Sequence, residues 1–307
     1  MSEPHLVEAV VRQVAAELEH RLASPLAPGL YLVATPIGNM ADITLRAIAV
    51  LARAGSVYCE DTRQSSKILQ RYAIRARLDT YHEHNADRVR PRILEALAGG
   101  GSVALMSDAG TPLISDPGFK LVRAAADGGH AVWAIPGASA VLAGLVAAGL
   151  PTDSFHFAGF LPSKSGARRS RIAALAAVPG TLVLFEAPGR TADLMADLAA
   201  GLGDRPAAIA RELTKLNETI LRGPLSTLAQ NPALAGLRGE VVVLIGGGEA
   251  KSASDEEIIA ALEPALAGGS LRDATAAVAL ALGAPRNRVY ELAIAIRDGK
   301  VDSEDKT

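Results

Sequence analysis

Residues 30–61 read LYLVATPIGNMADITLRAIAVLARAGSVYCED, and the periodicity of the run changes twice. LYLVAT (30–35) is a short branched apolar segment that predicts a strand. ITLRAIAVLARAG (43–55) repeats apolar residues at helical spacing and stops on Gly55. SVYCED (56–61) is a second strand that ends in charge. The same rhythm continues through SVALMSD (102–108) and AVWAIPG (131–137), separated by the helical patterns RVRPRILEALAGG (88–100) and PGFKLVRAAADGG (117–129), each closed by Gly-Gly. Strands alternating with helices predict an α/β fold with a mainly parallel sheet covered on both faces.

The rhythm pauses at AAGLPTDSF (147–155) and resumes with FHFAGF (155–160), TLVLFEA (181–187), AAIARELT (207–214) and EVVVLIGG (240–247). A second α/β unit is therefore expected after a boundary near Leu150. Beyond Gly248 the pattern becomes three short helices. Ser254 and Glu257 form a capping box for the first, and the third starts around Arg286 after Pro285. Two helices joined by a Gly-containing turn resemble a helix-turn-helix, which either packs only or touches nucleic acid. The resulting organisation is an N-terminal helical extension (1–28), an α/β domain (29–150), a second α/β domain (151–248), and a helical module with its tail (249–307). The extension carries acids where a signal peptide is basic and reads as an amphipathic surface helix. The tail VDSEDKT is polar and expected to fray.

Across 307 residues, 31 Lys and Arg nearly balance 33 Asp and Glu, so any polyanion must be met by a local patch. Aromatic residues make up 4%, which argues against a base-stacking sheet. The single Cys59 excludes an internal disulfide, and the six His show no zinc spacing, so a reduced cytoplasm is the expected compartment. No apolar run approaches the roughly 20 residues that span a bilayer.

Ligands of open α/β sheets bind beyond the carboxyl ends of strands. There the chain places ATPIGN (34–39), EDTR (60–63), SDAGTPLISDPG (107–118), IPGASA (135–140) and FEAPGR (185–190). In the third loop Asp108 and Asp116 have no companion His or Glu, which disfavours a metal site. Gly110 and Gly118 instead free the backbone, Pro112 and Pro117 stiffen it, and Thr111 and Ser115 add hydroxyls, as a cradle for a small molecule requires. Asp116 before Pro117 also has the form of a helix N-cap. Ser139 either caps the next helix or contacts a ligand. Neither Gly-Gly-Gly run, 99–101 or 246–248, has the spacing of a phosphate loop. In PSKSGARRSR (162–171) there are basic residues and no acid, the composition of a phosphate-contacting patch or a solvated helix start. On a strand, His82 and His84 of YHEHN (81–85) would share a face, either as a metal pattern or as a polar edge. These residues alone describe a two-domain α/β ligand binder with a cleft and without a dinucleotide or nucleotide fingerprint.

VATPIGNMADITLRA, CEDTR, ALMSDAGTPLISDPG, PGASA, FLPSK, ARELTK and Gly239-Glu240, in that order, resemble the tetrapyrrole-methylase family of S-adenosylmethionine enzymes. Within it they are most similar to the branch that methylates small-subunit ribosomal RNA. The resemblance covers about Gly29 to Gly248 and extends to the C-terminal helices. It implies two class III methyltransferase α/β domains with a cleft between them, a small C-terminal helical module, a homodimer, and S-adenosylmethionine in the cleft. It further implies methyl transfer to the ribose 2′-hydroxyl of a cytidine in the decoding region of 16S rRNA. By this resemblance the cofactor touches Pro36, Asp108, Ala109, Gly110, Thr111, Ile114, Ser115, Asp116, Ser139, Ala140, Glu186, Ala187, Leu213 and Gly239. Asp61, Glu212 and Lys215 are the candidates for a general base, since a 2′-hydroxyl must lose its proton. Arg63, Lys164, Arg168, Arg169 and Arg171 are expected to position RNA. Methylation of a tetrapyrrole or other small molecule, and non-catalytic ribosome binding, are the competing expectations.

Overall fold

The structure is a computed structural model that describes residues 3–248 and 253–298. It divides into two compact units. One comprises the residues up to 173 and 180–246, and the other 174–179 together with the described residues from 247 onward.

The first unit opens with helix α1 (Glu3–Ala23). A five-stranded sheet follows, made of β1 (Gly29–Val33), β2 (Ser56–Cys59), β3 (Leu78–Thr80), β4 (Ser102–Met106) and β5 (Val132–Ile135), in the order β3-β2-β4-β1-β5 with every pairing parallel. Helices α2 (Leu45–Arg53), α3 (Thr62–Arg71), α4 (Ala86–Ala98), α5 (Phe119–Asp127) and α6 (Ala140–Ala148) link or follow these strands. Alternate strand residues go to opposite faces. Tyr31, Val33, Val57, Cys59, Ala104 and Met106 pack with Ile48, Leu51 and Ile68 of α2 and α3. Leu30, Tyr58, Val103 and Leu105 pack with Val89, Ile93 and Leu121 of α4 and α5. Both faces are therefore covered, which is why these strands read as unbroken apolar runs. Each fully buried Leu or Ile contributes roughly 1.5–3 kcal/mol of transfer free energy.

The second sheet has β6 (Phe155–Phe160), β7 (Thr181–Glu186), β8 (Pro206–Arg211), β9 (Thr219–Pro224) and β10 (Val241–Ile245), in the order β6-β7-β10-β8-β9. Its helices are α7 (Ser165–Leu175), α8 (Thr191–Leu202) and α9 (Leu225–Ala229). Only β6 and β7 pair in parallel; β10 runs antiparallel to both β7 and β8, and β8 forms a hairpin with β9. The expectation of a mainly parallel arrangement thus holds for the first sheet and not for this one. The cause is the short connection 212–218, which can only reverse the chain.

Helix α1 packs Leu18 against the first core, while Leu6, Val7, Val10, Val11 and Val14 are exposed. Its apolar stripe is thus covered only toward its C-terminal end. In the second unit α10 (Asp255–Gly268), α11 (Leu271–Leu282) and α12 (Arg286–Arg297) enclose Ile258, Leu262, Val278, Val289 and Ala293. The capping box forms: Ser254 Oγ accepts the Glu257 N–H at 3.2 Å and Glu257 Oε2 accepts the Ser254 N–H at 2.9 Å. Gly283, with φ of 61°, ends α11 in the left-handed conformation before α12. Among the described residues no helix is long and apolar enough to cross a membrane. The tail from Val301 lies outside the described residues.

Candidate active site

The loop after β4 folds back on itself. Ser107 Oγ donates to Asp116 Oδ2 at 2.5 Å and accepts the Ala109 N–H at 3.1 Å. Thr35 and Gly110 exchange backbone hydrogen bonds of 2.9 and 3.0 Å, and Thr35 Oγ1 donates to the Ser107 carbonyl at 2.9 Å. Gly110 has a φ of 82°, and the non-glycine residues Leu113 and Ser115 also sit in left-handed backbone, at 71° and 65°. Such strain persists only where the surroundings over-determine it. Asp116 does not cap α5. The helix starts after Gly118, whose φ of 139° and lack of a side chain leave no side-chain cap, and Asp116 is instead folded back onto Ser107. Burial pushes its carboxyl up, the Ser107 hydrogen bond pulls it back, and the charge of Asp108 raises it again, for a net rise.

This loop forms one wall of a cavity of about 400 Å³. Ala109, Gly110, Thr111, Ile114, Ser115 and Asp116 line it from the loop, Ser139 and Ala140 from the start of α6, Glu186 and Ala187 from the end of β7, and Gly239 from the entry to β10. Ser139 does cap α6, accepting the Leu142 N–H at 3.4 Å. Ile37, Phe160 and Phe185, which lie inside the quoted motifs without being named as site residues, add apolar wall together with Val241 and Val242. Glu186 is the polar landmark. Its side chain is 1% exposed; Oε1 accepts the Ala187 N–H at 2.7 Å and pairs with Arg190 at 2.5 Å. Its other oxygen, Oε2, is buried with no hydrogen-bond partner among the described residues. An orphaned carboxylate oxygen on a residue that lines a cavity is a group a ligand donor could satisfy.

A second cavity, of about 500 Å³, shares Ile37, Ala109 and Glu240 with the first, so the two adjoin. Pro36 and Asp108 line this second space rather than the first, together with Asp61, Gln64, Lys67 and Lys215. Asp108 is occupied structurally, accepting the Asp61 N–H at 3.1 Å and Ser65 Oγ at 3.1 Å. Asp61 caps α3 through the Arg63 N–H at 2.8 Å and holds the Arg63 guanidinium at 3.1 and 2.7 Å. These hydrogen bonds, the side-chain one first, lower its carboxyl to about 2.

Lys215 Nζ lies between Glu212 Oε1 at 2.8 Å and Glu240 Oε2 at 3.1 Å. Burial pulls the ammonium down, but hydrogen bonds to both carboxylates and their charge outweigh it, leaving a net rise. Glu212 is lowered by the Lys215 hydrogen bond and then by the Glu240 N–H. Gly239 makes this packing possible: a Cβ there would stand 2.2 Å from Glu212 Oε1. Asp61, Glu212 and Lys215 are therefore all held in their charged states. A lysine so paired is arranged to donate hydrogen bonds, which argues against its candidacy as a base.

Leu213 is 7% exposed and belongs to the core beside Ile37, Val141 and Val242, not to either cavity wall. Arg168 is withdrawn from the expected RNA-facing set. It is buried at 5% exposure, with Nε 2.6 Å from Asp197 Oδ2, whereas Lys164, Arg169 and Arg171 are exposed and the Arg63 side chain is 88% exposed. His82 and His84 lie in the turn after β3 and not on a strand. Glu240 is the main omission. It adjoins Gly239 in a motif that the sequence marked, but its placement on the wall shared by both cavities depends on strand order.

Residues 29–229 match the family described as Tetrapyrrole (Corrin/Porphyrin) Methylases, and residues 252–297 match the RsmI C-terminal HTH domain. A protein of Mesorhizobium japonicum named Ribosomal RNA small subunit methyltransferase I is 50% identical over 278 residues, covering 90% of this chain and 95% of that protein. The protein of the same name from Pseudomonas aeruginosa is 44% identical, covering 88% and 98%. Among solved structures, diphthine synthase superposes with a TM-score of 0.57 at 18% identity, covering 71% of this chain and 89% of that one. The cobalamin biosynthetic cobalt precorrin-4 methyltransferase gives 0.54 at 19%, covering 71% and 94%. At such identities the two structures speak to the fold alone.

Proposed function

Because this chain belongs to the tetrapyrrole methylase family, we propose that it is an S-adenosylmethionine-dependent methyltransferase of small-subunit ribosomal RNA, acting on the ribose 2′-hydroxyl of a cytidine in the decoding region. The observation that carries the reading is the pair of adjoining cavities with Ile37, Ala109 and Glu240 in common, one for a methyl donor and one for an acceptor. The names of relatives at 50% and 44% identity favour rRNA over a tetrapyrrole as the acceptor.

The first cavity fits the donor on its chemistry. Its apolar walls suit an adenine and a thioether chain, and Glu186, which lines it, has in Oε2 an unpartnered acceptor for an ammonium or a ribose hydroxyl. Asp116, on the β4 loop that lines this cavity, adds a second carboxyl group to the wall. Bound there, S-adenosylmethionine supplies an electrophilic methyl on a sulfonium. The protein's share is then chiefly to hold the acceptor oxygen in line, and proximity can account for a large part of the acceleration. Lys215, kept charged by Glu212 and Glu240, is placed to donate a hydrogen bond to the acceptor's sugar or phosphate. Glu240, a residue common to both cavities whose carboxylate lies 3.1 Å from Lys215 Nζ, is our candidate to take the 2′-hydroxyl proton.

Arg63, Lys164, Arg169 and Arg171 would meet phosphates. We take the working form to be a cytoplasmic homodimer acting on the small subunit. The test is incubation with methyl-labelled S-adenosylmethionine and small subunits lacking the modification, followed by mapping of the label. Label on the ribose of one 16S cytidine is the expected result. Label on a base, or transfer only to a uroporphyrinogen-type substrate, would overturn the reading, as would cofactor binding without transfer.

A further inference from the structure

The connection between β8 and β9 carries an oddity that the chemistry above does not use. Leu216 is 99% exposed, a large apolar side chain standing wholly in water. Its loop is nonetheless tightly built. Glu212 and Thr214 are held in left-handed backbone at φ of 54° and 66°, a conformation that costs a non-glycine residue free energy. The Thr214 N–H donates to Glu218 Oε2 at 2.6 Å, and Thr214 Oγ1 accepts the Asn39 N–H at 3.1 Å. Two backbone bonds, Lys215 N–H to the Glu212 carbonyl at 3.0 Å and Glu218 N–H to the Lys215 carbonyl at 3.1 Å, close the turn. The residue before Leu216 is Lys215, pinned by two carboxylates and lining the acceptor cavity. A strained and braced loop thus presents an unburied leucine one residue along the chain from Lys215, which lines that cavity.

We infer that Leu216 is a positioning residue that enters the RNA stack and fills the place of the target nucleotide when that nucleotide turns out into the acceptor cavity. The inference rests on the proposed function. To enter the cavity lined by Ile37, Ala109 and Lys215, a nucleotide stacked in folded RNA must leave its neighbours. Unstacking costs free energy, and proteins that force a step open insert an apolar side chain such as Leu to replace the lost contacts. A wedge must be stiff and must sit beside the cavity it serves. The bracing supplies the first condition and the adjacency to Lys215 the second.

Leu216→Ala removes no internal packing, so the variant is expected to keep its melting temperature and its affinity for S-adenosylmethionine. Its kcat/KM on small subunits should fall by about tenfold or more, as expected for losing the contacts that offset one unstacked step. Leu216→Met should recover most of that loss. On a short RNA whose target cytidine is already unpaired and unstacked, the variant should come within about twofold of the wild type, since no stack must be opened. Equal rates of Leu216→Ala and wild type on small subunits would overturn the inference. So would an equal loss on both RNAs, which marks an ordinary contact, or a drop in solution mass, which marks an interface between two copies of the chain. A wild-type chain that transfers no label to RNA would overturn the functional reading and this inference with it.

Discussion

Arg168 offers the sharpest separation of a structural cation from an RNA-binding one. Its side chain is 6% exposed and that of Asp197 16%, with 2.6 Å between Nε and Oδ2. Arg168→Met leaves the Asp197 carboxylate inside the fold without its cation, and losing one partner of a buried pair costs about 3–5 kcal/mol. At about 2–4 °C per kcal/mol for a domain of this size, the melting temperature should fall by about 6–20 °C. Replacing both partners, Arg168→Met with Asp197→Leu, removes the stranded charge and should restore stability to within about 1 kcal/mol of the wild type. Thermal melts followed by circular dichroism, with RNA affinity measured on each folded variant, read both quantities. The double variant should bind RNA as the wild type does. A melting temperature for Arg168→Met equal to the wild type, together with weakened RNA binding, would refute the buried pair and return Arg168 to the RNA surface.

The exposed neighbours behave in the opposite way. Changing Lys164, Arg169 and Arg171 together to Ala should leave stability and cofactor affinity unchanged while lowering the dependence of log K on log salt by up to about 2, at roughly 0.7 per lost phosphate contact; an unchanged slope would show a solvated face only. Asp61 should titrate near 2 when its carboxyl signal is followed by NMR from pH 6 downward. Its folded pKa lies below the unfolded value of about 3.9, so its contribution is present above that value and is lost as pH falls through about 2. Titration at or above pH 4 would mean that the Arg63 pairing is absent in solution.

The inner strands β1, β2 and β4 of the first sheet were legible because burial on both faces makes them continuous apolar runs, as in Val103 to Met106. The edge strands β3 and β9 were not. Leu78–Thr80 is too short for a pattern, and Thr219–Pro224 is half exposed and ends on Gly-Pro, which reads as a turn. The polar loops at strand ends were also legible, and they gather most of the first cavity's lining from segments far apart in the chain. Side-chain direction was not. Arg168 lies next to exposed Arg169 in sequence, but helix α7 turns one inward to Asp197 and leaves the other in solvent. Asp116 had the local form of an N-cap, yet the left-handed residues Leu113 and Ser115 turn the loop so that its carboxylate meets Ser107. Glu240 acquires its place from the antiparallel insertion of β10 between β7 and β8, a pairing that no local pattern encodes.

The claim that the cavity beside the β4 loop holds the methyl donor is tested most directly by a crystal structure of the chain with S-adenosylhomocysteine. The ligand is expected between the β4 loop and the end of β7, with a donor atom within hydrogen-bond distance of Glu186 Oε2 and the cavity lined by Asp61 and Lys215 left open for the acceptor. A ligand seated in that second cavity, or one that leaves Glu186 Oε2 without a partner, would contradict the account.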